Sequence, residues 1–74
     1  MAAYLYLPRR PADRSSRTSR AEPGLLIDYT RAGRAIGVEI TTPRRITLAA
    51  LNRVMRQIGA PALTRADLAP LKAA

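Results

Sequence analysis

The run Gly24–Ile40 constrains the fold more than any other part of the chain. Within it, two stretches of alternating apolar residues, 25–29 and 35–40, flank a short loop that ends in Gly33. Alternation with a period of two is typical of strands with one buried face, and a glycine that closes a short loop is typical of a β-hairpin. The run therefore predicts a central hairpin over residues 25–40.

The loop 30–33 sets the predicted register of this hairpin. If the two residues that flank the loop pair with each other, Ile27 lies opposite Ile36. In the same register Leu25 lies opposite Val38. All four side chains then share one face, where aliphatic cross-strand pairs stabilise a sheet, and this face is predicted to line the core.

The chain before the hairpin contains one clear strand and one ambiguous segment. Residues 4–7 alternate and are rich in strand formers, so they predict a first strand that Pro8 ends. Residues 9–20 are basic and rich in serine, and no apolar alternation fixes their register. They are predicted to be a basic loop or a weak edge strand, with 14–21 as the stretch that would pair.

A helix is predicted after the hairpin. Thr47 has the side chain of a helix N-cap, and Gly59 is a natural C-terminal stop. Between them, apolar residues recur at helical spacing: Leu48, Leu51, Val54, Met55 and Ile58. This stripe is predicted to cover the apolar face of the hairpin.

Residues 61–74 predict a short helical tail. Thr64 and Asp67 have the spacing of a capping box, and Pro70 is expected to limit the helix to about two turns. The elements together predict an α+β fold in one domain, 1–74. In this fold, a small antiparallel β-sheet of three to four strands packs against a C-terminal helix and a short second helix.

The composition argues against an enzyme. The sequence contains neither Cys nor His, which removes disulfides, the usual zinc and haem ligands and the usual activated nucleophiles. In the predicted register the carboxylates of Asp28 and Glu39 lie roughly 13 Å apart, at about 3.4 Å per residue. Paired carboxylates in glycosidases lie about 5–9.5 Å apart. No catalytic, cofactor-binding or metal-binding residue, no cofactor and no small-molecule substrate is therefore predicted.

The formal net charge of +8 has two explanations. Of the thirteen basic residues all but Lys72 are arginine, which codon bias in a GC-rich genome would produce. The alternative is nucleic-acid binding, with phosphate contacts from a basic segment. The residues that would make these contacts are Arg9, Arg10, Arg14, Arg17 and Arg20, with Arg44 and Arg45 in support.

The face of the sheet that the helix leaves uncovered is the predicted interaction surface. It combines tyrosines, a leucine and two acids: Tyr4, Tyr6, Leu26, Asp28 and Glu39. Such a mixture is common at protein interfaces, and a chain this small gains stability from covering it. The predicted partner is a second copy of the chain or a small protein. No apolar run approaches the ~20 residues of a membrane span, so a cytoplasmic protein without a membrane partner is expected.

The hairpin also resembles a known family. Its residues 26–29, Gly33 and 37–40 are similar to the pattern of the small bacterial domain-of-unknown-function family numbered 2283. The resemblance implies a small antiparallel sheet with a C-terminal helix, no established activity, and a partner-binding, antitoxin-like role. The chain departs from the family pattern at residues 14–20, which are basic here, and in its turn, which lacks acidic residues.

Overall fold

The structure, a computed structural model, describes residues 2–73. Its strands are β1 (Ala3–Tyr6), β2 (Arg17–Glu22), β3 (Leu25–Tyr29) and β4 (Ala35–Ile40). Its helical elements are a 3-10 turn (Pro43–Arg45), α1 (Leu48–Gln57) and α2 (Arg65–Ala73). The strands form one antiparallel sheet in the order β1-β4-β3-β2, which confirms the predicted α+β class with four strands. The predicted domain 1–74 and tail 61–74 include Met1 and Ala74, which lie outside the described residues.

One face of the sheet and the helices share a single apolar core. Leu25, Ile27 and Val38 from the sheet and Leu51 and Val54 from α1 are at most 1% exposed and belong to one cluster. Burial of such an aliphatic side chain contributes about 1.5–3 kcal/mol. The four residues predicted for the inner face are all buried, and so are the central residues of the α1 stripe.

The register of the central hairpin differs from the prediction by two residues. Ile27 pairs with Val38, and Leu25 pairs with Ile40. One of the two residues comes from the loop, which is one residue shorter than predicted. Thr30, rather than Tyr29, pairs with Arg34, and its N–H donates to the Arg34 carbonyl at 2.9 Å. The other arises from a bulge in the pairing next to Tyr29. A shift of two keeps Leu25, Ile27 and Val38 on their predicted face, because the side-chain period of a strand is two. Ala35, predicted to lie opposite Asp28, pairs with Tyr29 instead and packs against the core.

The second half of the basic segment forms the edge strand β2. It pairs with β3 from Arg17 to Glu22, which confirms the edge-strand alternative and moves its start three residues later than 14. Pro23 and Gly24 connect β2 to β3 in a tight turn, where Gly24 has a φ of +80°. Proline followed by glycine suits such a turn, because proline fixes a negative φ and glycine tolerates a positive one.

The helix ends are formed by the predicted caps. Thr47 Oγ1 accepts the N–H of Ala50 at 3.1 Å, and Gly59 follows α1 with a φ of +72°. At α2, Thr64 Oγ1 accepts the N–H of Asp67 at 3.2 Å, and the Asp67 carboxylate accepts the N–H of Thr64 at 2.8 Å.

Helix α2 has nine residues, close to the predicted two turns, but Pro70 lies inside it and does not end it. The ring of Pro70 removes one backbone donor and leaves the neighbouring residues helical. Within residues 2–73, every helix is too short or too polar to cross a bilayer.

Candidate functional site

The outer face of the sheet, defined as the face opposite the helices, presents two rows of side chains across all four strands. The first row, in the order β2, β3, β4 and β1, comprises Arg20, Leu26, Glu39 and Tyr4. The second row comprises Thr18, Asp28, Gly37 and Tyr6. All five residues predicted for the interaction surface therefore lie together on this face.

Tyr4 reaches from the edge strand β1 across β4 to β3. Its hydroxyl donates to Asp28 Oδ2 at 2.7 Å. The ring passes directly over Gly37, where an added Cβ would lie 1.9 Å from the Tyr4 hydroxyl oxygen. Thus Gly37 provides the space in which a tyrosine can lie flat on the sheet.

Asp28 joins three strands through its two carboxylate oxygens. While Oδ2 accepts the Tyr4 hydroxyl, Oδ1 accepts the hydroxyl of Thr18 on β2 at 2.5 Å. Burial raises the pKa of the Tyr4 phenol, and the hydrogen bond to Asp28 and the negative charge there raise it further. Tyr4 is therefore a neutral donor at neutral pH. Together, Tyr4, Asp28 and Thr18 form a hydrogen-bonded connection from β1 to β2.

Tyr6 is the most exposed large apolar residue on this face, with 73% of its surface accessible to solvent. Its ring meets Tyr4 edge to face, with centroids 4.8 Å apart and planes at 66°. The Arg9 guanidinium lies 5.4 Å from the Tyr6 centroid and also donates to the Ile36 carbonyl at 2.9 Å. The edge-to-face contact and the cation over one ring hold Tyr4, Tyr6 and Arg9 together as one cluster on the outer face.

The two carboxylates of the face lie closer together than predicted. Asp28 pairs with Gly37 rather than Ala35, so Glu39 is its diagonal neighbour across two adjacent strands. Such neighbours are about 7–8 Å apart, so the predicted separation of roughly 13 Å is wrong. The separation of this pair therefore lies within the glycosidase range and does not argue against an enzyme. Asp28 serves here as the shared acceptor of Tyr4 and Thr18, and Glu39 is half-buried beside Leu26.

The arginines predicted for nucleic-acid binding are spread over several separate parts of the surface. Arg9 covers Tyr6, and Arg17 lies 4.6 Å from the ring centroid of Tyr29. Arg20 lies on the outer face. The remaining four divide between the two ends of the sheet, with Arg10 and Arg14 near the β3–β4 turn and Arg44 and Arg45 in the 3-10 turn.

Arg31 and Arg34 join Arg10 and Arg14 at one end of the sheet, and neither of the two is in the predicted set. Arg31 and Arg34 lie on either side of Gly33 in the hairpin loop, and this position in the sequence could have indicated that they lie at the end of the sheet.

The comparisons with known proteins give no match. No protein-family model matches the chain, and neither does any curated protein or solved structure. The resemblance to the family numbered 2283 stays a prediction. Among the residues from Ala2 to Ala73, no three Asp or Glu side chains are grouped as ligands for a metal ion.

Proposed function

We propose that this protein is a non-catalytic interaction module that forms a homodimer through the outer face of its sheet. The observation that carries the proposal is an uncovered sheet face with Tyr6 73% exposed and with opposite charges on either side of a central leucine. The chain is 74 residues long and contains no cysteine. A small core without disulfides gains stability when association buries further surface.

The first row of the face is complementary to itself. Arg20 and Glu39 lie on either side of Leu26, each about 4.8 Å away, which is the spacing between neighbouring strands. A twofold axis along β3 at this leucine places the Arg20 of each copy against the Glu39 of the other. In a twofold contact every pair of residues occurs twice. The match of Arg20 with Glu39 therefore supplies two ion pairs, one on each side of the contact between the two copies of Leu26.

The charge distribution also favours this face for contact between two copies. A chain with a net charge of +8 repels its own copy unless the contact surface carries acids. Asp28 and Glu39, two of the five acids, lie on the outer face. The same twofold axis places the two copies of Asp28 opposite each other, and the crossing angle of about 30° between aligned sheets moves them partly apart. The match of Glu39 with Arg20 on this face offsets part of the repulsion between two copies.

Nucleic-acid binding by the predicted arginine set has less support, because these arginines are spread over separate parts of the surface and do not form one patch. An antitoxin-like role, in which the same face binds a different protein, becomes the preferred explanation if the isolated chain stays monomeric.

A charge-swap series with size-exclusion chromatography and multi-angle light scattering tests the proposal. The wild-type chain is expected to elute with a dimer mass that falls towards the monomer mass on dilution. Glu39→Arg places like charges together at both ends of the contact and is expected to give a monomer. The double variant Arg20→Glu/Glu39→Arg restores opposite charges at the wild-type net charge and is expected to restore the dimer.

Two results would reject the homodimer. One is a wild-type chain that stays monomeric at every concentration while its circular dichroism spectrum shows a folded protein. The other is a Glu39→Arg variant that dimerises as well as the wild type, since the contact would then lie elsewhere.

A further inference from the structure

A cleft of about 460 Å³ opens at the end of the sheet where β3 turns into β4. One wall is the loop that follows β1, and the other is the β3–β4 turn. Four of the lining residues are arginines, Arg10 and Arg14 from the loop and Arg31 and Arg34 from the turn. Ser15 and Ser16 add hydroxyl groups to the lining.

The cleft carries more positive charge than its single acid can balance. Asp13 is the one carboxylate in the lining, and it forms an ion pair with Arg34. Arg10, Arg14 and Arg31 are exposed, and within residues 2–73 none of them forms an ion pair. Three arginines without an ion pair in the lining of one cleft favour an anion, and the planar fork of arginine matches the oxygens of a phosphate group.

Asp13 fixes the two walls relative to each other. Its carboxylate accepts the backbone N–H of Arg10 at 2.7 Å and also bonds to the Arg34 guanidinium. These two hydrogen bonds, that of Arg10 first, lower the pKa of Asp13, so it stays ionised at neutral pH. On the other side of the loop, the N–H of Ser16 donates to the Tyr29 carbonyl at 2.8 Å. A site whose loops are already ordered before binding loses less free energy to their ordering when the ligand binds.

We propose that this cleft binds a diphosphate group, as inorganic diphosphate or as the diphosphate of a nucleotide. Its volume lies within the range of about 300–1,000 Å³ that is usual for small-ligand sites. The lining contains no aromatic residue on which a base could stack, so recognition rests on charge. Two linked phosphates offer enough oxygen atoms for several guanidinium groups at once. The site lies at the end of the sheet and is separate from the proposed dimer face.

Isothermal titration calorimetry with inorganic diphosphate tests the site. The double variant Arg14→Gln/Arg31→Gln removes two guanidinium groups from opposite walls and leaves the Asp13–Arg34 pair intact. It is expected to weaken binding about tenfold or more, because each charged hydrogen bond to the anion is lost. Arg44→Gln/Arg45→Gln removes the same charge at the opposite end of the sheet and is expected to weaken binding less than about twofold.

The same titrations with adenosine 5′-diphosphate and a single-stranded oligonucleotide identify the source of the phosphates. Tighter binding of the nucleotide than of inorganic diphosphate, with the same loss in the cleft variant, supports a nucleotide ligand. Equal affinities support the diphosphate group alone.

The proposal is overturned if the wild type gives no binding heat with inorganic diphosphate at low salt, or if the two double variants weaken it equally. Binding of the oligonucleotide alone, reduced equally by both double variants, would overturn it in favour of a nucleic-acid surface. Circular dichroism of each variant shows whether a loss reflects the site or the fold.

Discussion

At the scale of single residues, Gly37 has the clearest structural role. It is buried beneath Tyr4, and the absence of a side chain lets the ring cross β4 and bond to Asp28. Gly37 thus allows the connection between the edge strand β1 and the centre of the sheet.

We expect Gly37→Ala to lower the free energy of unfolding by about 1–3 kcal/mol, from steric overlap with Tyr4 and loss of its bond to Asp28. In a Tyr4→Ala background the overlap is absent, and the same substitution should cost little. Urea unfolding of the four proteins of this double-mutant cycle measures the coupling. Equal costs in both backgrounds would contradict the role given to Gly37.

At the scale of elements, local hydrogen bonding decides where the helices begin. Thr47 supplies the one side-chain cap of α1, and the mutual bonds of Thr64 and Asp67 begin α2. Both patterns are readable in the sequence because donor and acceptor lie three residues apart.

Removal of the α1 cap by Thr47→Ala should destabilise the chain by about 1 kcal/mol, because the N–H of Ala50 loses its partner. Thr47→Ser keeps the hydroxyl and is the matched control, with an expected change within a few tenths of a kcal/mol. Thermal unfolding at one protein concentration compares the two variants. A serine variant as unstable as the alanine variant would show that the methyl group matters rather than the cap.

The limits of sequence-based prediction also appear at this scale. The buried face of the hairpin and the stripe of α1 were predicted because burial leaves a period in the sequence. Strand β2 leaves none, since Arg17–Arg20 are exposed on both faces and backbone bonds to β3 hold them. The turn at Pro23 and Gly24 was the available signal for this strand.

The two candidate sites differ in how far the sequence reveals them. The five residues predicted for the interaction surface lie on one face despite the wrong register, because the error was an even number of residues. The bulge next to Tyr29 accounts for one of the two residues of that error. It depends on pairing with another strand, so it leaves no local pattern in the sequence. The arginine cleft was missed because it forms where the loop after β1 meets the β3–β4 turn, about twenty residues apart in sequence.

At the scale of the whole molecule, two ion pairs connect segments that are distant in sequence. Asp13 joins the loop after β1 to Arg34, and Glu22 on β2 accepts two hydrogen bonds of 2.9 Å from Arg53 on α1. The pKa of Asp13 is lowered, first by the Arg10 backbone N–H and then by Arg34. The pKa of Glu22 is lowered by the hydrogen bond from Arg53.

These shifts predict how stability depends on acid. A carboxylate with a lowered pKa in the folded state stabilises the fold above its ordinary pKa, which is 3.8 for Asp13 and 4.5 for Glu22. That contribution is lost as the pH falls through the lower folded values. The free energy of unfolding of the wild type should therefore decrease as the pH falls below 4.5.

The variant Asp13→Asn/Glu22→Gln should be less stable at neutral pH and should show a shallower decrease in acid. Denaturant unfolding between about pH 5 and pH 2 compares the two proteins. Parallel curves over this range would mean that neither ion pair is the source of the acid dependence.

The position of β1 has a consequence for how the chain folds. Strands β2, β3 and β4 are neighbours both in sequence and in the sheet, whereas Tyr4 of β1 pairs with Glu39. Loop closure costs more entropy as the loop lengthens, so the three-stranded unit 17–40 can assemble before β1 joins it. On the ribosome the order of emergence is the reverse. β1 leaves the exit tunnel before β4 and therefore waits without β4, its only partner in the described sheet, until that strand has also emerged.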